Sequence, residues 1–249
     1  MKRSYNVYDD PIFFEGYKKL RDNPDNANNL EEKPALFSLS PCLSGKSILD
    51  LGCGDGENCV WFSEMGAKFV LGIDISEKML QVAQTENPHI QFAVVDMNDL
   101  SSVEGTFDAI FSSLAVHYIE DFNRLITSIF NLLNDDGYFI FSQEHPLTTA
   151  PIEGAAWNRN EDGSIHYKLT DYAIPGCRKT HWIIDGVVKY HRTFSSIVNA
   201  LTCNGFIIEK MLEPAPEQDT IERLPSFKKN MHKPNFLLVK AKKRRAQQY

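Results

Sequence analysis

The stretch richest in chemistry is Leu49-Asp50-Leu51-Gly52-Cys53-Gly54-Asp55-Gly56-Glu57. Glycines at alternate positions let a backbone approach a ligand closely and take φ values that other residues resist. A pyrophosphate-binding loop of spacing G-x-G-x-x-G would place its third glycine at Glu57. A carboxylate there, at the start of a helix, repels the phosphates of a dinucleotide. Asp50, just ahead of the first glycine, suits a ligand bearing a positive charge, such as an ammonium group. Two more acids close the next apolar runs. Asp74 stands roughly 20 residues after the loop, where an acidic side chain accepts both hydroxyls of a ribose. Asp96 stands where a carboxylate can accept a hydrogen bond from an adenine amino group.

These residues need strands and helices to position them. The run 47–51 ends at Gly52 and reads as a buried parallel strand. A helix over 57–65 follows, closed by Gly66 at the position of a left-handed cap. Strands are expected at 69–73, 90–95, 107–111 and 138–141. Ser76 caps a helix that stops before Pro88, and Asp121 caps an amphipathic helix that Gly137 ends. Thr193 caps another helix, closed by Gly205, and 206–210 and 236–241 add two strands. Ahead of all this, 12–20 and 32–39 read as short helices in a segment broken by Pro24 and Pro34. The alternation predicts an α/β fold: a doubly wound, seven-stranded, mostly parallel sheet. The chain reads as a single domain, 1–249. Residues 1–45 form an N-terminal helical cap, and 46–145 with 193–242 form the core. The aromatic-rich stretch 146–192 is an insertion after the fifth strand, with a hairpin turning at Asp185-Gly186.

The bulk properties narrow the function classes. The chain has 249 residues and a formal charge of −7, which disfavours non-specific nucleic-acid binding. No apolar run approaches the length of a membrane span. Residues 1–5 lead into polar sequence without an apolar h-region, so no secretory leader is expected. Five scattered cysteines without a C-x-x-C pair argue against a zinc ribbon or disulfide scaffold and fit a reducing cytoplasm. The basic run 240–245 reads as a solvated tail.

The motifs together resemble those of class I S-adenosylmethionine-dependent methyltransferases, in the small-molecule (UbiE-like, type 11) branch. Residues 48–56, Gly72-Ile73-Asp74-Ile75-Ser76 and Val94-Val95-Asp96-Met97 carry the resemblance, with Phe107-Asp108-Ala109-Ile110-Phe111-Ser112-Ser113 as the fourth-strand motif. It implies that Gly52, Cys53, Gly54 and Gly56 form the loop around the cofactor's methionine part, with Asp50 nearby. Asp74 would hold the ribose, Ile75 and Met79 would pack on the adenine, and Asp96 and Met97 would sit at its edge. Ser113 would lie near the sulfonium end, and Tyr17 and Arg21 of the cap would close over the cofactor carboxylate. The family's sheet has a reversed last strand.

Methyl transfer from a sulfonium is an in-line displacement, so holding the nucleophile in line and excluding water supply most of the catalysis. No His/Asp/Glu cluster has metal-ligand spacing, and S-adenosylmethionine is the only cofactor expected. A base is needed only for an alcohol, phenol or protonated amine. His117 after the fourth strand and His145 after the fifth are the candidates. Ser112-Ser113-Leu114-Ala115 stands where amino-methylating nucleic-acid enzymes carry Asn/Asp-Pro-Pro-aromatic. The expected acceptor is therefore a small molecule, with no nucleic acid or membrane as partner and the insertion as lid. Two alternatives remain open: a non-catalytic protein that binds S-adenosylmethionine or S-adenosylhomocysteine, and a nicotinamide-dependent oxidoreductase.

Overall fold

The computed structural model describes residues 6–153 and 156–245; the reading of residues 1–5 lies outside them. The cap begins with α1 (Pro11–Asp22), whose first turn is held by the Asp10 side chain accepting from the Ile12 and Phe13 amides. A π-helical turn, Asn28–Glu32, runs directly into α2 (Lys33–Ser38). The expected break at Pro34 does not occur: the segment stays helical through it, with Pro34 in the first turn of α2 where the π turn gives way to α-helix.

The core then alternates β1 (Ser47–Leu51), α3 (Glu57–Glu64), β2 (Phe69–Asp74), α4 (Glu77–Glu86), β3 (Gln91–Val94), β4 (Phe107–Ser112), α5 (Phe122–Leu132) and β5 (Leu133–Glu144). The insertion holds α6 (Pro146–Thr149) and two hairpins, β6 (Trp157–Arg159) with β7 (Ile165–Tyr167), and β8 (Gly176–Trp182) with β9 (Ile184–His191). The chain re-enters the core through α7 (Phe194–Cys203), β10 (Phe206–Leu212), α8 (Gln218–Arg223) and β11 (Phe236–Lys243). The seven-stranded sheet has the order β10-β11-β5-β4-β1-β2-β3. Only β11 is antiparallel to its neighbours β5 and β10. β1 pairs in parallel with both β2 and β4, so the chain reverses its winding direction beside β1. That is the point where doubly wound sheets open a crevice at their carboxyl edge.

Two apolar layers cover the sheet. On one face α5 and α7 bring Leu125, Ile126, Ile129 and Leu201 onto Phe139 and Val239. On the other, Leu36 of α2 and Phe62 of α3 pack with Ile48 and Ile140.

Three local expectations change. α5 ends at Leu132 rather than at Gly137; Leu133 already pairs with Phe107, and a left-handed Asp136 (φ 62) lets β5 shift register before Tyr138 pairs with Ala109. The β8–β9 reversal is at Ile183 (φ 66), between the paired Trp182 and Ile184. Asp185-Gly186 lies within β9, where the register shifts and Gly186 takes φ 80. The basic run is anchored: Lys240 pairs with Glu209, Lys242 and Arg245 with Asp136, and the Lys243 ammonium donates to the carbonyls of Phe130 and Leu133.

Candidate functional site

The loop between β1 and α3 is shaped by three left-handed glycines, Gly52 (φ 73), Gly54 (φ 57) and Gly56 (φ 84). Gly52 has no room for a side chain: a Cβ there would stand 2.5 Å from the Ala115 Cβ and 3.5 Å from the Met97 Cε. The loop is tied to β2 by the Gly52 and Cys53 amides donating to the Ile73 carbonyl (2.8 and 2.9 Å). The same crowding seats Met79 beneath Gly54, so Met79 is buried below the loop while Ile75 stays half-buried at the end of β2.

Two carboxylates, Asp74 and Asp50, border this loop, and a third, Asp96, follows β3. Asp74 accepts from the Gly54 amide at 2.9 Å and from the Ser76 amide at 2.8 Å. Burial raises its carboxyl above the usual range, against the pull of those amides. A carboxylate offers about four acceptor sites, so these two bonds leave capacity for hydroxyl groups. Asp50 is fully buried; its Oδ2 accepts from the Cys59 thiol at 3.5 Å, and its Oδ1 has no partner among the described residues. Burial pushes the Asp50 carboxyl up to about 7. Asp96, beyond β3, accepts from the Asn98 amide and side chain, both at 2.8 Å.

The cap brings cations to the lip of the same loop. Arg21 reaches Glu57 at 3.2 Å, and Lys33 pairs with the other Glu57 oxygen. Burial alone would raise the Glu57 carboxyl, but Lys33 and Arg21 hold it below the usual range. The Glu57 charge is thus partly offset, which the sequence does not reveal. Arg21 also lies 5.9 Å from the Tyr17 ring centre, and burial lifts the Tyr17 hydroxyl to about 12.

Sequence reasoning missed Glu32. It is fully buried, and its Oε1 accepts from the Ser113 hydroxyl at 2.9 Å and from the Ser142 hydroxyl, while Oε2 accepts from the Asn28 amide group. Ser113 is thereby fixed at the end of β4. The next residue, Leu114, sits in the left-handed region (φ 50), its amide held by the Ser142 hydroxyl at 2.9 Å. A non-glycine residue held there stores strain of the sort that gathers at functional sites.

Cap and insertion close over this edge together. Phe13 and Tyr17 meet Trp182 edge to face at 5.3 and 6.0 Å between centroids, and Tyr8 meets Tyr118 at 6.2 Å. Gly16 is bare so that Ile183, at the hairpin tip, can lie against α1. His117 is buried, its Nδ1 has no partner among the described residues, and burial pulls its imidazole down to about 3. Beside it the buried Lys189 of β9 pairs with Glu144, and Lys189 and His117 hold that carboxyl below its usual range despite burial. His145 caps α6, its Nδ1 accepting from the Leu147 amide at 3.1 Å, and its Nε2 meets Glu213 at 2.7 Å. Both its ring nitrogens are therefore engaged.

The structure thus brings Asp50, Asp74, the glycine loop, Tyr17, Arg21 and Ser113 to one crevice. Buried acids at its base and two cations at its lip suit a ligand with cationic centres, a carboxylate and a ribose. Among the described residues no group of His, Cys, Asp and Glu could hold a metal ion, and no helix is long and apolar enough to cross a membrane.

The chain is similar to known proteins. A family model described as a methyltransferase domain matches residues 49–141. An uncharacterized protein of Haemophilus influenzae is 40% identical over 98% of this chain and 99% of its own length. A solved S-adenosylmethionine-dependent methyltransferase from Mesorhizobium loti is similar with a TM-score of 0.80 and 40% identity, covering 85% of this chain and 97% of that one. The malonyl-[acyl-carrier protein] O-methyltransferase of Buchnera aphidicola is 29% identical over 75% of this chain and 76% of its own length.

Proposed function

Because the chain belongs to the S-adenosylmethionine-dependent methyltransferases, we propose that it methylates a small molecule enclosed between its helical cap and its insertion. The observation that carries this is the shared aromatic wall: Trp182 of the insertion packs on Phe13 and Tyr17 of the cap. Aromatic side chains packed this way keep water out and favour a compact, partly apolar acceptor beside them. The Ser112-Ser113-Leu114-Ala115 turn lacks the Asn/Asp-Pro-Pro-aromatic element of amino-methylating nucleic-acid enzymes.

Bound S-adenosylmethionine supplies an activated methyl group on a sulfonium with a good leaving group. The chain's own residues bind, orient and keep water out. Asp74 and the left-handed glycine loop hold the nucleoside, with Asp96 and Met97 at the adenine edge. Arg21 and Lys33 receive the amino-acid carboxylate in exchange for Glu57, and Asp50 lies below as the counter-charge to the cationic end. Glu32 keeps Ser113 and the Leu114 turn in one geometry beside the acceptor space. Neither His117 nor His145 serves as the base: the imidazole of the first is drawn to about 3 by burial, and the second spends both nitrogens on α6 and Glu213. Catalysis then relies on alignment and dryness, and the acceptor enters with its nucleophilic atom already unprotonated. We place the reaction in the cytoplasm, since all five cysteines are free thiols.

Calorimetric titration with S-adenosylmethionine, S-adenosylhomocysteine and NAD tests the cofactor part. Micromolar binding of the first two and none of NAD is expected; binding of NAD alone would overturn it. Transfer of a labelled methyl group in a small-molecule acceptor screen tests the rest. A protein that binds both ligands yet labels only macromolecules would refute the small-molecule reading.

A further inference from the structure

A cavity of about 450 Å3 opens beyond the carboxyl end of β5, between α6, the β6–β7 hairpin and the 225–235 segment. Trp157, Tyr167 and Phe227 form its apolar walls, and Thr148, Asn230 and Lys233 its polar side. Lys233 is only 6% exposed, yet no ion pair among the described residues gives it a carboxylate. Its ammonium donates to the Thr148 hydroxyl at 2.8 Å and to the Asn235 side-chain carbonyl at 3.3 Å. An ammonium has three N–H bonds, so one is left over. The nearby acid Glu31 is already occupied, accepting from the side-chain amides of Asn230 (2.7 Å) and Asn235 (3.3 Å). The chain Glu31–Asn235–Lys233–Thr148 thus fixes the ammonium in place without a salt bridge of its own; Glu31 and Glu144, the latter paired with Lys189, act on it only through space. The Tyr167 and Trp157 rings lie 5.0 and 6.0 Å from it. Burial draws the Lys233 amine down to about 8, against the pull of the Glu144 and Glu31 carboxylates.

We infer that this cavity takes the carboxylate or phosphate end of a planar small molecule, its charge on Lys233 and its ring against Trp157 and Phe227. Lys229, exposed at the rim, adds a second positive charge at the entrance. The inference deepens the methyltransferase reading, and rests on it: the cavity lies beyond the carboxyl end of β5, the strand paired in parallel with β4. Glu31 holds the cavity's asparagines while the next residue, Glu32, holds Ser113. An anion seated here would place the far part of the same molecule toward the end of β4.

The test uses the full chain with and without S-adenosylhomocysteine, and benzoate, phenyl phosphate and neutral benzamide as probes in calorimetric titration. At least one anion is expected to bind about tenfold or more tightly than benzamide, since a hydrogen bond to a charged group in a partly desolvated site is worth that much. Which anion binds better separates the carboxylate from the phosphate. Lys233→Met should bring the anion down to the level of benzamide while leaving S-adenosylhomocysteine affinity unchanged. Equal binding of benzamide and both anions, or a folded Lys233→Met that still prefers anions, would overturn the inference. If Lys233→Met fails to fold, the comparison of probes on the unaltered chain decides alone. Anion preference without S-adenosylhomocysteine binding would keep the cavity and sink the methyltransferase reading; the reverse result would do the opposite.

Discussion

The Gly54 amide donates to the Asp74 carboxylate at 2.9 Å, so the glycine loop and the acid at the end of β2 form one hydrogen-bonded unit. The second Asp74 oxygen takes the Ser76 amide, which also fixes the start of α4. An asparagine offers one acceptor oxygen where two amides need two. Asp74→Asn should therefore leave a buried N–H unpaired, at about 1–3 kcal/mol in urea unfolding. Asp74→Ala loses both and should weaken S-adenosylhomocysteine binding by about a hundredfold or more. Unchanged affinity in Asp74→Ala would remove the residue from the cofactor site.

Two glycines with similar backbones separate conformation from crowding. Gly52 (φ 73) faces the Ala115 Cβ at 2.5 Å from where its own Cβ would be, whereas Gly105 (φ 85) has nothing within 4 Å. Gly105→Ala should show only the left-handed penalty, about 1–2 kcal/mol, and bind S-adenosylhomocysteine normally. Gly52→Ala adds overlap with a residue of the Leu114 turn, so it should cost clearly more and abolish binding. Equal effects of the two in unfolding and titration would mean that the loop relaxes freely.

Much of this site was legible because short-range rules govern it. Positive φ at Gly52, Gly54 and Gly56, the Ser76 and Asp121 caps and the apolar runs of β1, β2 and β4 follow from residue type and spacing alone. The seven strands followed from the alternation of apolar runs and helices, and the reversed last one from the motifs' family resemblance. Glu32 was illegible, since its partners Ser113 and Ser142 come from distant elements, and a glutamate in a polar segment reads as surface. The Ile183 turn was missed because Asp185-Gly186 is the stronger local signal, and packing of Ile183 against Gly16 outweighed it.

Glu32 links the cap to the core, and its contacts leave no oxygen for a different donor pattern. With glutamine there, one oxygen becomes an NH2 group and meets either the Asn28 amide or the two serine hydroxyls. Glu32→Gln should therefore cost about 1–3 kcal/mol in urea unfolding and loosen the cap. Limited proteolysis should then cut the 23–31 segment faster than in the unaltered chain. Equal cleavage rates would show that the cap is held by its aromatic contacts instead.

Asp50 makes stability depend on pH in the direction opposite to a paired carboxylate. Its folded carboxyl titrates at about 7, against about 4 in an unfolded chain. Below about pH 4 both states carry the proton and Asp50 contributes no difference. Between about 4 and 7 the unfolded chain has released its proton while the folded protein still holds it, so stability falls as pH rises. Above about 7 the full difference, on the order of 4 kcal/mol, has been lost. Asp50→Asn keeps the shape without the titration. Urea unfolding across this window should show a shallower decline for Asp50→Asn than for the unaltered chain, and a more stable variant at pH 8. Its affinity for S-adenosylmethionine should fall, because a neutral amide no longer offsets the cationic end. Parallel stability profiles for the two proteins would mean that Asp50 is ionised in the folded state at all these pH values.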